Sequence, residues 1–187
     1  MKTTAIALAM TLGFAGAAQA AVSDISTSLA NSGTPSTGYD AIFGSAVKSS
    51  FMDFYTFTIP LGAGTSGGAS VIAGFNKKGM SNVNISEFEL EDVTGYTNAQ
   101  IASDKENPYI VETFPKSNSG NFSFFGLNPA HTYALEVMGN LTSGNTHGSY
   151  AGNVSIDPVP EPSEYALMAT GLGLFGFIAT RRSKKAA

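Results

Sequence analysis

The chain has 187 residues, a net charge of −4, eight prolines, 21 glycines, no cysteine and no tryptophan. The lack of cysteine excludes thiol chemistry and cysteine-ligated metal sites. With two histidines and no basic stretch inside the chain, a nucleic-acid partner is excluded as well, because a phosphate backbone needs a basic face.

The N-terminus opens with Met1-Lys2, followed by an apolar or small run from Ala5 to Ala18, interrupted by Thr11. Ala18-Gln19-Ala20 then places small residues where signal peptidase reads them. This order predicts a secretory signal peptide over 1–20, a signal helix cut after Ala20.

Residues 21–157 remain as one domain-sized stretch. They hold five lysines against twelve acids, a balance of −7. Residues 31–40 read as a loop by composition. Phe51 to Ile59 reads as a strand, with Phe51, Asp53, Tyr55 and Phe57 on one face and Met52, Phe54 and Thr56 on the other. Gly/Ser/Thr-rich residues 60–68 form a loop before a short apolar strand at 69–75.

Residues 84–90 alternate, with Ile85, Glu87 and Glu89 on one side and Ser86, Phe88 and Leu90 on the other. Thr97 to Glu106 is the one place where a helical turn is expected. Further strands are expected at 109–114, 121–127, 131–138 (Tyr133, Leu135 and Val137 facing one way) and 149–156 (Tyr150, Val154 and Ile156 together). Eight or so short strands separated by turns predict an all-β fold, a single antiparallel β-sandwich.

The chain ends on a different pattern. Pro158-Val159-Pro160-Glu161-Pro162 is held extended by its prolines. Residues 165–180 carry no charge and no polar face, and a helix of that composition belongs in lipid. At 1.5 Å per residue it would be about 24 Å long, short of a hydrocarbon core of about 30 Å. Arg181, Arg182, Lys184 and Lys185 follow at once. They can snorkel to the headgroups and act as a stop-transfer cluster on the cytoplasmic side.

Val159-Pro160-Glu161-Pro162, the glycine-rich apolar helix and the basic end, taken in that order, resemble the PEP-CTERM sorting domain of Gram-negative bacteria. The resemblance covers residues 159–185, within a sorting segment over 158–187. Glu164 departs from the family, which usually carries a small or aromatic residue there. The resemblance implies an inner-membrane-anchored precursor whose partner exosortase, a membrane transpeptidase, cuts at the Pro-Glu-Pro region. It then implies delivery to the cell surface or matrix, in the company of exopolysaccharide or biofilm.

Phe51-Met52-Asp53-Phe54-Tyr55 resembles the motif that names the FxDxF family of such proteins, with Tyr55 in place of the last Phe. Residues 53–60, 133–137 and 148–152 also resemble bacterial pre-peptidase C-terminal domains, which are β-sandwich accessories; a jelly roll is the alternative form of the sandwich.

Asp53 shares a face with two aromatics, so if buried it needs a partner: a backbone turn, a lysine or a calcium ion. A hydrogen-bonded structural acid is the expectation. Glu87, Glu89, Glu91 and Asp92 form the densest acid cluster. They are expected to make a solvated strand face that discourages edge pairing, with weak calcium binding as the alternative. His131 and His147 sit in turn-like contexts without metal-ligand spacing.

Gly64-Thr65-Ser66-Gly67-Gly68 matches a nucleophile elbow in letters, but lacks a strand before it and a helix after it. Gly171, Gly173 and Gly176 match a dinucleotide fingerprint, but lie inside the apolar helix. The expectation is therefore a noncatalytic exported protein without cofactor. A carbohydrate- or calcium-binding module is the alternative, and a secreted hydrolase centred on Ser66 comes third.

Overall fold

A computed structural model describes residues 20–76, 78–103, 107–159 and 166–175, with side chains from 107–117 excepted. Nine strands run along the chain: β1 (Ala21–Asp24), β2 (Tyr39–Val47), β3 (Phe51–Thr58), β4 (Gly67–Ala73), β5 (Val83–Asp92), β6 (Asn107–Ser117), β7 (Ser119–Phe124), β8 (Thr132–Leu141) and β9 (Gly148–Ile156). Short helices α1 (Ser26–Ala30) and α2 (Asn98–Ile101) join them, and a third, α3, spans 166–175.

One sheet has five strands in the order β1-β3-β8-β5-β6. The other has four, in the order β2-β9-β4-β7. Every pairing is antiparallel except one: β1 runs parallel to β3, from Ala21 opposite Asp53 to Asp24 opposite Thr56. The sandwich is therefore antiparallel with a parallel edge strand. That is possible because α1 and the loop after it give the chain the length to cross from β1 into the second sheet before β3 is laid down.

The two sheets face each other across a core of inward residues taken at every second position. Phe51, Tyr55 and Phe57 of β3 join Tyr133, Leu135 and Val137 of β8. From the other sheet come Phe43, Phe122, Phe124, Tyr150, Val154 and Ile156. Phe43 meets Tyr55 at 4.7 Å and Phe88 meets Phe122 at 4.8 Å between ring centroids, so aromatic pairs stitch the layers. Gly152 of β9 leaves room for this packing: a Cβ there would collide with the Phe43 ring and the Ser70 carbonyl.

Strand β3 is buried on both faces. Phe54 on its far side packs with Ala134, Val93 and Ile101, and Ala20, Val22 and Met52 border them. The lid over this second cluster is α2. Its Thr97 N-cap and Gln100 form a reciprocal capping box, the local signal for a helical turn in a segment otherwise built of strands.

Strand β5 departs from simple alternation. Its register against β8 slips between Ile85 and Glu87, leaving Ser86 as a bulge whose hydroxyl donates to the Met138 carbonyl at 3.2 Å. The extra residue moves Ile85 to the core face with Phe88 and Leu90 and leaves Glu87, Glu89 and Glu91 on the outer face. This corrects the expected grouping of Ile85 with the glutamates.

Strand β2 was not foreseen, and its first residues lie in the stretch expected to be loop. Beyond the sandwich, the described residues of α3, 166–175, lie inside the expected span over 165–180, whose other residues are outside the described ones; none of the described helices is long and apolar enough to cross a membrane. The signal segment before residue 20, and with it Ala18, lies outside the described residues. Pro160, Glu161, Pro162 and the basic cluster Arg181, Arg182, Lys184 and Lys185 do too.

Candidate functional site

The residues of the FxDxF-like motif converge inside the sandwich. Asp53 is 6% exposed. The Tyr150 hydroxyl, reaching across from β9, donates to Asp53 Oδ2 at 2.5 Å, and the Tyr55 hydroxyl lies 2.7 Å from that of Tyr150. Since the single Tyr150 proton goes to Asp53, Tyr55 is the donor of the second bond. Phe51 stacks on the Tyr150 ring at 5.0 Å.

Burial pushes the Asp53 carboxyl above its ordinary value, and hydrogen bonds from Tyr150, Ser45 and the Ala21 N–H offset part of that rise. Burial likewise raises both tyrosines, and the nearby Asp53 charge adds to the rise in each. Neutral phenols are thereby kept as donors. The strongest partner of Asp53 is a tyrosine from the opposite sheet, which makes it the hydrogen-bonded acid expected. Tyr150 could have been suspected from its place beside Val154 and Ile156 on an inward face, but nothing local pairs it with Asp53.

The second polar cluster lies on the outer face of the five-stranded sheet. Glu89 and Glu136 are directly opposite one another on β5 and β8, and Glu91 is two residues along. Carboxylate oxygens of these three lie within 4.8 Å of one another, and all three residues are buried. A solvated strand face, the expectation for Glu89 and Glu91, is overturned: both side chains are buried.

The other calcium candidates fall elsewhere. Glu87 is half-buried nearer the bulge. Asp92 turns away to His131, whose Nδ1 is 2.5 Å from Asp92 Oδ2, and to Thr94. Burial alone would raise the Asp92 carboxyl, but hydrogen bonds from Thr94 and His131 outweigh it and hold the group below its ordinary value. Glu136 was missed because it sits between core residues of a strongly apolar strand, where a lone acid reads as outward and wet. Among the described residues, His147 contacts its neighbour Thr146 at 2.9 Å.

Ser66 lies in the loop directly before β4, and its carbonyl accepts from the Asp157 N–H at 2.8 Å. A strand, not a helix, follows it, so the geometry of a nucleophile elbow is absent there. At the exit of the sandwich, Val159 donates its N–H to the Pro35 carbonyl at 2.8 Å. Leu167, Met168, Leu172, Leu174 and Phe175 of α3 are all exposed. Gly171 and Gly173 lie on the same helix with open space around them, unlike the strand-to-helix turn of a dinucleotide site.

Fold and interior define a two-sheet β-sandwich whose motif residues serve to join the sheets. No family model matches the chain, and the search of curated proteins found no match. Among solved structures it is similar to PliG of Salmonella Typhimurium, a periplasmic lysozyme inhibitor of g-type lysozyme. The likeness has 14% identity and a TM-score of 0.35, and covers 73% of this chain and 98% of that one.

Proposed function

We propose that the chain is exported and sorted to the cell surface or extracellular matrix of a Gram-negative bacterium as a noncatalytic sandwich. Signal peptidase removes residues 1–20, and an exosortase reads Val159-Pro160-Glu161-Pro162. The observation that carries this reading is the exposure of α3. Every described residue of α3 except Gly171 is exposed, its leucines, methionine and phenylalanine among them. A helix apolar all round needs an apolar medium, and a bilayer supplies one. The uncharged run to Thr180 and the basic cluster after it support the same reading.

In this role Pro160, Glu161 and Pro162 are substrate residues of another enzyme, and their prolines favour the extended form it would read. The helix presents them at the membrane face, and Arg181, Arg182, Lys184 and Lys185 hold the end in the cytoplasm. The acidic sandwich is then delivered outside, among exopolysaccharide. The test is the mass of the mature protein from cells with and without exosortase. Loss of residues 165–187 only where the enzyme is present is expected. Retention of those residues in both strains would refute sorting and leave the helix as a permanent anchor.

A second reading, a calcium- or carbohydrate-binding module, draws on the convergence of Glu89, Glu91 and Glu136. Hard oxygen donors suit calcium. Calorimetry at millimolar calcium on the wild type and on Glu136→Gln separates it from a purely structural cluster. Heat of binding that the substitution removes favours the module; equal, flat traces for both dismiss it.

A further inference from the structure

Among the described residues, strand β1 is a four-residue edge strand paired on one side, in parallel with β3. Its first residue, Ala21, is in register with Asp53, the buried carboxylate at the centre of the motif. Val22 turns to the outer cluster, as does Ala20 just before the strand, so the backbone nitrogen of Ala21 lies at the boundary where the expected signal-peptidase cut falls. While the peptide bond to Ala20 is intact, this nitrogen is an amide with one proton to give.

We propose that cleavage after Ala20 converts it into an α-ammonium that pairs with the Asp53 carboxylate, so that removal of the signal peptide locks β1 onto the sheet edge. The inference rests on the export reading, from which the cut site comes. Hydrolysis of the Ala20–Ala21 peptide bond consumes one water, leaves a carboxylate on the released peptide and gives Ala21 its amine, which is protonated near neutral pH.

The surroundings favour the pair. Ala21 is the direct β1 register partner of Asp53, and its backbone favours the charged carboxyl. Val137, the β8 register partner of Asp53, is apolar, and the hydroxyls nearby, Tyr150 and Ser45, donate to the same carboxylate. No lysine or arginine competes for Asp53 among its hydrogen-bond partners. An ammonium in place of an amide turns a neutral donor into a charge-assisted one. The edge strand is where such a gain matters most, because it has hydrogen-bonding neighbours on one side alone.

The experiment compares two forms of the protein, one beginning at Ala21 and one retaining Gln19-Ala20. Competitive labelling of the α-amine with acetic anhydride reads the ion pair directly. A one-unit rise in the amine's pKa lowers the reactive neutral form about tenfold, so the Ala21 form should label about tenfold more slowly than the extended form. The Ala21 form should also have an unfolding constant about tenfold smaller, the same one-unit shift read as stability.

Asp53→Asn should bring the Ala21 amine back to ordinary reactivity. If that variant does not fold, the comparison of the two wild-type forms still decides, since neither alters the core. Equal labelling rates and equal unfolding constants overturn the proposal. The protein recovered from an exporting host separates the two levels: a first residue other than Ala21 sinks the cut site and the latch together, whereas Ala21 with an ordinarily reactive amine sinks the latch alone.

Discussion

Replacing Tyr150 by Phe removes one oxygen from the interior and leaves the rest of the ring in place. That oxygen donates to Asp53 at 2.5 Å and accepts from Tyr55 at 2.7 Å. The bond to the carboxylate is worth about 1.5–3 kcal/mol and the phenol–phenol bond about 1 kcal/mol. Ser45 and the Ala21 N–H remain to serve Asp53, so the carboxylate loses one donor of several rather than all. The Phe51 stacking at 5.0 Å is kept, which excludes a cavity contribution. The expected loss is about 3 kcal/mol, read as a lower denaturant midpoint at pH 7 with an unchanged slope. Tyr55→Phe should cost about 1 kcal/mol, and the double variant little more than Tyr150→Phe alone, because both changes cut the same chain. A loss below about 0.5 kcal/mol for Tyr150→Phe, the level of an ordinary surface change, would falsify the view that this network ties the sheets together.

In a protein retaining Ala20, the folded Asp53 holds its proton to higher pH than the unfolded chain does. Stability therefore falls as pH rises from the ordinary carboxylate value through the raised one, and Asp53→Asn should flatten that limb of a pH-dependent melt. Asp92 acts with the opposite sign: its stabilisation is present above the ordinary value and is lost as pH falls through the lowered one, so Asp92→Asn should weaken the acid limb. The raised phenols of Tyr55 and Tyr150 predict a loss of stability once pH passes the ordinary tyrosine value, and Tyr150→Phe should reduce the steepness of that alkaline limb in the same melts. Gly152→Ala should destabilise the fold by about 1–3 kcal/mol through the Phe43 ring, and Phe43→Leu in the same chain should recover part of it in thermal melts.

The strand carrying the motif was legible because its period of two is unbroken: Phe51, Asp53, Tyr55 and Phe57 all face the core as their spacing implied. Its second, outer burial was not, since that depends on α2 folding back over Phe54 from more than forty residues away. Strand β2 has the same period in Tyr39, Ala41, Phe43 and Val47, all buried, yet Gly44, Ser45 and Ala46 dilute it to the look of a loop. The bulge at Ser86 could not be read from letters that alternate equally well without it. The polar sites show the same division. The partner of Asp53 and the third member of the glutamate cluster each come from a strand distant in sequence, and only the register of the sheets supplies them.

The hydrogen bond from Val159 to Pro35 pins the chain at its point of departure from the sandwich. From Val159 to residue 166 a fully stretched backbone reaches about 25 Å. On the sorting reading proposed above, a precursor held by its terminal helix would carry the sandwich on a short leash, with its Pro35 end toward the bilayer. On that same reading the cutting enzyme would work between protein and headgroups, and bulk added at the Pro35 loop should slow the cut without altering a single residue of Pro160 to Pro162.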